Sequence, residues 1–274
     1  MEPYWDLIAR IIRESDLVLE VLDARLVELS RNEKVEELIK EIGRPLIFVI
    51  NKSDLISRSG LKKQIRKLKR EGEVVFISSK NKRTSRILLY AIKKVFKKYG
   101  KRDSIKENID DRNWKYREAK AKIVVGVLGY PNVGKSSVIN ALAHKKKVKV
   151  SKKAGTTHGI HWIKVSDEIK LIDSPGVIPL TKNDEIRYGL IGAKDPEKLK
   201  NPEIVANSII KLFIKTNKNN FEKFYGIKMV SIDLENIINC IAEMKKHILK
   251  EGKPDKHRTC SMIIRDWQQG KLRL

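Results

Sequence analysis

The sequence has 274 residues, 41% of them apolar, enough for a packed core and one or two domains, which excludes wholesale disorder. Its 59 Lys and Arg against 34 Asp and Glu leave a net charge of +25, spread as +9 over residues 1–100, +9 over 101–180 and +7 over 181–274. That balance points to polyanionic partners, nucleic acid before membrane. Two cysteines, Cys240 and Cys260, cannot make a disulfide framework, no leader pattern opens the sequence, and no apolar run approaches the ~20 residues that cross a bilayer, so a cytoplasmic protein without membrane association is expected.

In chain order, residues 16–22 read as a buried strand ending at Asp23-Ala24-Arg25. Residues 32–42 read as a helix with Val35, Leu38 and Ile42 on one side, stopped by Gly43 and Pro45. The apolar run 46–50 suits a central parallel strand. A basic helix is expected over 61–70, a strand over 74–77, and a helix over 84–96 with Ile87, Leu88, Ala91, Ile92 and Val95 on one face. Repeated strand-then-helix units imply an α/β parallel sheet with right-handed crossovers. Residues 100–121 are polar and read as a linker. The sheet pattern resumes with a strand at 123–128, a helix from Lys135, and strands near 160–165 and 169–172. From Asp184 onward the pattern is helical, above all over 204–213 and 234–249. The expected architecture is an α/β domain over 1–180 and a smaller all-helical domain over 181–274.

Gly129-Tyr130-Pro131-Asn132-Val133-Gly134-Lys135-Ser136 fits G-x-x-x-x-G-K-S between a strand and a helix. This is the context in which backbone N–H groups and a helix N-terminus cradle phosphates. Val133, Gly134, Lys135, Ser136 and Ser137 would line that cradle. Lys135 would reach the β and γ phosphates as a catalytic cation, and the Ser136 hydroxyl would ligate Mg²⁺. Asp173-Ser174-Pro175-Gly176 follows the strand at 169–172; Asp173 would hold Mg²⁺ through water, and the Gly176 N–H would sense the γ-phosphate. Two threonines, Thr156 and Thr157, compete to bring a hydroxyl to the metal from the intervening loop, with Thr157 favoured.

Asn51-Lys52-Ser53-Asp54 closes the strand at 46–50. A carboxylate there accepts two hydrogen bonds from guanine N1 and N2; adenine would leave it unsatisfied, which can give ~10⁴-fold discrimination. Ser78-Ser79-Lys80, after the strand at 74–77, would present a backbone N–H to guanine O6. The cofactors implied are therefore GTP or GDP and Mg²⁺. The basic residues cluster, with fifteen Lys or Arg against Glu71 and Glu73 over 57–100, and six lysines without an acid over 142–155. Such tracts neutralise phosphates with steep salt dependence and little sequence specificity.

The guanine boxes precede the phosphate boxes, the reverse of the Ras-like order. With Asp23-Ala24-Arg25, the Gly129–Ser137 box, Asp173-Ser174-Pro175-Gly176-Val177 and Asp266-Trp267-Gln268-Gln269-Gly270-Lys271-Leu272, the chain resembles the circularly permuted GTPases of the YlqF/RbgA ribosome-assembly family over nearly its whole length. The resemblance implies a permuted Ras-like P-loop GTPase domain joined to a C-terminal helical domain. It also implies binding to the large ribosomal subunit or its rRNA, and a monomer away from the ribosome. Asn132 matches a P-loop asparagine that holds K⁺ in related GTPases; the alternative is a loop-shaping residue. Val177 stands where Ras-like enzymes carry the water-orienting glutamine, so slow hydrolysis stimulated by a partner is implied. The histidine of an N-terminal Phe-Pro-Gly-His-Met segment found in some members has no counterpart before His144, and His158 is not favoured as its substitute. The alternatives are a GTPase acting on another, tRNA-related RNA, and a nucleotide-gated RNA-binding module with incidental hydrolysis.

Overall fold

A computed structural model describes residues 4–57, 61–62, 65–66, 68–78, 81–101, 123–143, 161–174, 184–230 and 232–274. Helix α1, Tyr4–Glu14, leads into strand β1, Leu17–Asp23, followed by the single turn α2, Val27–Ser30, and α3, Glu33–Glu41. Strand β2, Leu46–Asn51, a 3-10 turn at Ser53–Leu55, α4 at Leu68–Glu71, β3 at Glu73–Phe76 and α5 at Lys82–Tyr99 complete the first half. After residue 122 come β4, Ile123–Leu128, α6, Lys135–Ala143, β5, His161–Lys164, and β6, Ile169–Asp173. The remainder is helical: α7 at Glu185–Ile191, α8 at Pro202–Thr216, α9 at Lys218–Tyr225, α10 at Leu234–Met244 and α11 at Lys256–Gln268.

The six strands form one sheet in the order β3-β2-β1-β4-β6-β5, all parallel except β5, which runs antiparallel to β6. Alternation along the strands sends side chains to opposite faces. Leu17, Leu19, Val21, Val125, Val127 and Leu171 meet Leu88, Ile92 and Val95 of α5 and Val138, Ile139 and Leu142 of α6 on one face. Val18, Leu128 and Ile172 meet Ile8, Ile11 and Ile12 of α1 and Val35 and Ile39 of α3 on the other. The parallel order places the C-terminal ends of β1, β2, β3, β4 and β6 along one edge, and Asp23, Asn51, Ser78, Gly129 and Asp173 lie at or just beyond these ends.

A second core joins α8 to α11, with Val205, Ile209, Phe213, Phe221, Tyr225, Ile241, Ile263 and Trp267 in contact; the Phe213 and Trp267 rings meet edge to face at 6.0 Å. Helix α7 belongs to both cores: Tyr188 and Ile191 pack with the sheet cluster and Leu190 with the helical one.

Two expectations need correction, and one stretch left unassigned by sequence takes a definite form. That stretch, Tyr4–Glu14, is an amphipathic helix that buries Ile8, Ile11 and Ile12. Of the helix expected over 61–70, helical backbone is described at 61–62 and 68–71. The helix expected over 234–249 stops at Met244, because Lys246 takes a left-handed conformation (φ 56°) and the His247 N–H closes back on the Ala242 carbonyl at 2.8 Å. Ile248 then bridges Pro254 in a short reversal. The expected linker lies, from residue 102 on, outside the described residues.

Candidate functional site

The phosphate-type loop leaves β4 and enters α6. Gly134 has φ +99°, and a Cβ there would fall 2.2 Å from Asn51 Nδ2, so only glycine lets the two boxes touch. Asn51, the last residue of β2, is buried and donates from Nδ2 to the Val133 carbonyl at 2.9 Å. That bond ties the guanine box to the phosphate loop across 82 residues of sequence.

Lys135 is buried, and its Nζ donates to the carbonyls of Gly129 (2.8 Å) and Tyr130 (3.0 Å), so the ammonium is held against its own loop. Burial pulls its pKa down to about 8, opposed by Asp173. Asp173, at the end of β6, pairs in register with Val127 of β4 and with His161 of β5. It is 1% exposed, and among the described residues neither carboxylate oxygen has a hydrogen-bond partner. Burial raises its pKa to about 6, against the pull of Lys135 and His161. The Ser174 hydroxyl donates to the Val127 carbonyl at 2.8 Å, fixing the chain where it leaves the sheet.

Mg²⁺ prefers hard oxygen ligands and usually keeps several waters. An orphaned, desolvated carboxylate at Asp173 and the hydroxyl of Ser136 at the start of α6 make such a donor set. Among the described residues no group of three His, Cys, Asp or Glu could hold a metal. The residues present fit Mg²⁺.

On the guanine side, Asp54 is exposed and its Oδ1 accepts from the Ser78 hydroxyl at 2.9 Å, while Ser53 binds the Ile77 carbonyl through both its N–H (3.2 Å) and its hydroxyl (3.1 Å). The box after β2 is thereby stitched to the segment after β3. Lys52 is left-handed (φ 60°) and its Nζ donates to Asp23 Oδ2 at 2.7 Å. Asn132, also left-handed (φ 60°), donates from Nδ2 to the Gly192 carbonyl at the end of α7. Val133 is buried, and Ser136 and Ser137 are half-buried at the start of α6. Ser79, Lys80, Thr156, Thr157, Gly176 and Val177 lie outside the described residues.

Two groups went unassigned in the sequence. Glu20 is an acid inside an otherwise apolar strand, and its Oε1 accepts from the Asn32 N–H at 3.0 Å, while the Asn32 side chain donates to the Tyr130 hydroxyl at 3.3 Å. Arg187 of α7 lies 5.4 Å over the Tyr130 ring. Asp23 and Arg25, noted above only as family markers, form a buried ion pair beneath Lys52: burial favours the protonated acid, but Arg25 and Lys52 together hold the Asp23 carboxyl well below the usual range. A buried acid within an apolar run was the available signal for both.

The fold is that of YlqF from T. maritima in its GNP-bound form, with a TM-score of 0.62 at 21% identity over 97% of this chain and 94% of that one. A family model described as 50S ribosome-binding GTPase matches residues 124–200. A GTP-binding protein of Methanocaldococcus jannaschii is 34% identical over 98% of this chain and 66% of its own length. The chain belongs to the circularly permuted, YlqF/RbgA-like GTPases. Other relatives of this permuted GTPase include nucleolar GTP-binding protein 2 of Pneumocystis carinii, 29% identical over 98% of this chain and 52% of the relative. The nuclear GTP-binding protein NUG1 of Saccharomyces cerevisiae is 29% identical over 96% and 54%. The chain thus spans about half to two thirds of the length of these relatives. Among its described residues no helix is long and apolar enough to cross a membrane.

Proposed function

We propose that this permuted GTPase hydrolyses GTP to GDP and phosphate and acts in ribosome biogenesis, gripping the large ribosomal subunit or its rRNA in a nucleotide-dependent way. The observation that carries the reading is the Asn51–Val133 bond, which joins a guanine box and a phosphate loop beside the orphaned carboxylate of Asp173. Asp54 and Ser78 face the base; Val133, Gly134 and Ser137 shape the cradle; Lys135 exchanges its two carbonyl partners for phosphate oxygens. Ser136 and Asp173, with Thr157, are the proposed Mg²⁺ ligands, and the ion, when bound, neutralises charge building up between the β and γ phosphates. With Val177 after Gly176 the chain offers no glutamine at that position to orient water, so hydrolysis depends on an activator. K⁺ at Asn132 is part of the proposal, as is the division into a GTPase domain over 1–180 and a helical domain over 181–274.

RNA is favoured as the partner by α5, an 18-residue helix without an acid. Its outer face carries Arg83, Arg86, Lys97 and Lys98 around Tyr90, which is 71% exposed. Exposed cations flanking a free aromatic ring suit phosphates and an unstacked base. Relatives named as nucleolar and nuclear GTP-binding proteins support the setting.

The test is GTP turnover in potassium buffer with and without large ribosomal subunits. Stimulation by large subunits alone is expected. Tight GTP binding without stimulation would transfer the reading to another RNA or to a nucleotide-gated binder. Replacing potassium by sodium tests the ion: an unchanged stimulated rate removes K⁺ from the scheme.

A further inference from the structure

The guanine box is held from behind by a part of the chain more than two hundred residues away. Arg25 is 2% exposed and carries out three tasks at once. Its Nε and Nη2 grip both oxygens of Asp23 at 3.0 and 2.8 Å, its Nη1 donates to the Trp267 carbonyl at 2.6 Å, and its guanidinium lies 3.9 Å over the Trp267 ring. Asp23 in turn accepts from Lys52 at 2.7 Å. A continuous polar chain therefore runs from the guanine box to the last turn of α11.

The second attachment lies on the other side of Asp54. The Leu274 N–H donates to the Leu55 carbonyl at 2.8 Å, and the Ser57 N–H donates to the Leu274 carbonyl at 3.1 Å. These backbone groups lie just after Asp54, and Leu274 satisfies both of them. Gly270 sits against Leu55, where a Cβ would stand 2.9 Å from Leu55 Cδ1 at a φ of +69°. Leu272 is fully buried in the helical core, so this segment moves only with that core. Asp54 is thus bracketed by restraints on Lys52 and on Leu55 and Ser57, and both come from α11 and the residues after it.

We propose that residues 267–274 form a clasp that positions the guanine box, with Arg25 and Trp267 as positioning residues for base recognition rather than groups that touch the nucleotide. The inference rests on the reading of residues 51–54 as the guanine box. A left-handed lysine is a strained conformation that persists only where its surroundings over-determine it; the Asp23–Arg25–Trp267 chain supplies that determination. Coupling between two sites is reciprocal. A ligand that draws α11 away loosens guanine recognition, and guanine binding in turn fastens α11. A partner docking on the helical core would then lower nucleotide affinity without touching the nucleotide.

The experiment uses the full chain, with GDP and IDP as the two probes in Mg²⁺ buffer, because IDP lacks the N2 amino group that Asp54 would read. Arg25→Lys keeps the charge beside Asp23 but removes the fork and the ring stack. It is expected to weaken GDP about tenfold, within the 5–150-fold range of site coupling, and IDP by less, so that the GDP-over-IDP preference shrinks. In the unsubstituted chain GDP should slow hydrogen exchange over 264–274, and in Arg25→Lys that protection should be lost. A purely structural role for Arg25 would lower Tm while leaving both the preference and the protection intact, which would overturn the proposal. Gly270→Val, which pushes on Leu55 from the second attachment, repeats the test if Arg25→Lys does not fold; an unchanged preference there overturns the proposal equally. Failure of the unsubstituted chain to bind GDP would overturn the guanine-box reading, and the clasp with it. Normal GDP binding with unresponsive variants overturns the clasp alone.

Discussion

Neutralising Asp173 should make the nucleotide-free protein more stable and its Mg²⁺-nucleotide complex weaker. The carboxylate is desolvated, both of its oxygens lack hydrogen-bond partners among the described residues, and its pKa stands at about 6 in the folded chain against the ordinary 3.8. At about 1.4 kcal/mol per pH unit, holding it ionised at pH 8 costs about 3 kcal/mol of stability. The sign follows from the raised pKa: between 3.8 and about 6 the folded state binds more protons, so stability is full below that window, falls as pH rises through it, and is flat above. Asp173→Asn keeps the shape without the charge. Urea midpoints in EDTA at pH 8 should therefore rise for the variant by the equivalent of up to about 3 kcal/mol, and the difference should shrink to about 0.5 kcal/mol by pH 4. GDP affinity in Mg²⁺ should drop in the same variant. Equal midpoints at pH 8, or a gap as wide at pH 4 as at pH 8, would refute the argument that this buried carboxylate is only partly compensated in the nucleotide-free protein.

Gly134→Ala would drive a methyl to 2.2 Å from Asn51 Nδ2 at a φ of +99°, and the strain with the lost Asn51–Val133 bond should cost about 2–3 kcal/mol and most of the GDP affinity; an unshifted urea midpoint would contradict the close packing of the two boxes. Glu20 is raised well above the usual carboxyl range, chiefly by burial and then by Glu36, and among the described residues its Oε2 has no hydrogen-bond partner. Stability therefore falls as pH rises through its titration, and Glu20→Gln should gain about 1 kcal/mol at neutral pH with a flatter stability–pH curve, measured by denaturant titration. Replacing Arg83, Arg86, Lys97 and Lys98 together by alanine should reduce the slope of log affinity against log salt for large-subunit rRNA by about 3, with GDP binding unchanged. Asp54→Asn should turn preference from guanine to xanthine nucleotides; nucleotide competition checks it, and retained guanine preference would displace Asp54 from base recognition.

What could be read from the sequence was whatever is local. The phosphate loop is legible because its glycines, lysine and serine are contiguous and flanked by a strand and a helix. The central strands show because burial on both faces makes them near-continuous apolar runs. Helix α1 was harder: its eleven residues place Ile8, Ile11 and Ile12 on one side, but three isoleucines among charges make a weak periodic signal. The end of α10 was missed because Lys246 bears no mark of a left-handed residue; glycine or asparagine usually stands there. The Arg25–Trp267 contact joins residues 242 apart, and nothing in either local pattern names the other. Lys135 was expected to point at phosphates; its ammonium lies on the carbonyls of Gly129 and Tyr130, groups of its own loop that no sequence pattern marks.

Strand β1 lies between β2 and β4 and is buried along its whole length. In this chain the first of those neighbours is made early and the second late, since roughly 100 residues separate the end of β1 from the start of β4. At about 5–20 residues per second of synthesis, one edge of β1 stays unpaired for about 5–20 s. Through that interval the nascent chain holds residues 51–54 but not the loop that follows β4. On the proposed assignment of these two boxes, nucleotide affinity arises only once β4 has closed the sheet and its loop has followed, so binding competence reports completion of the sheet.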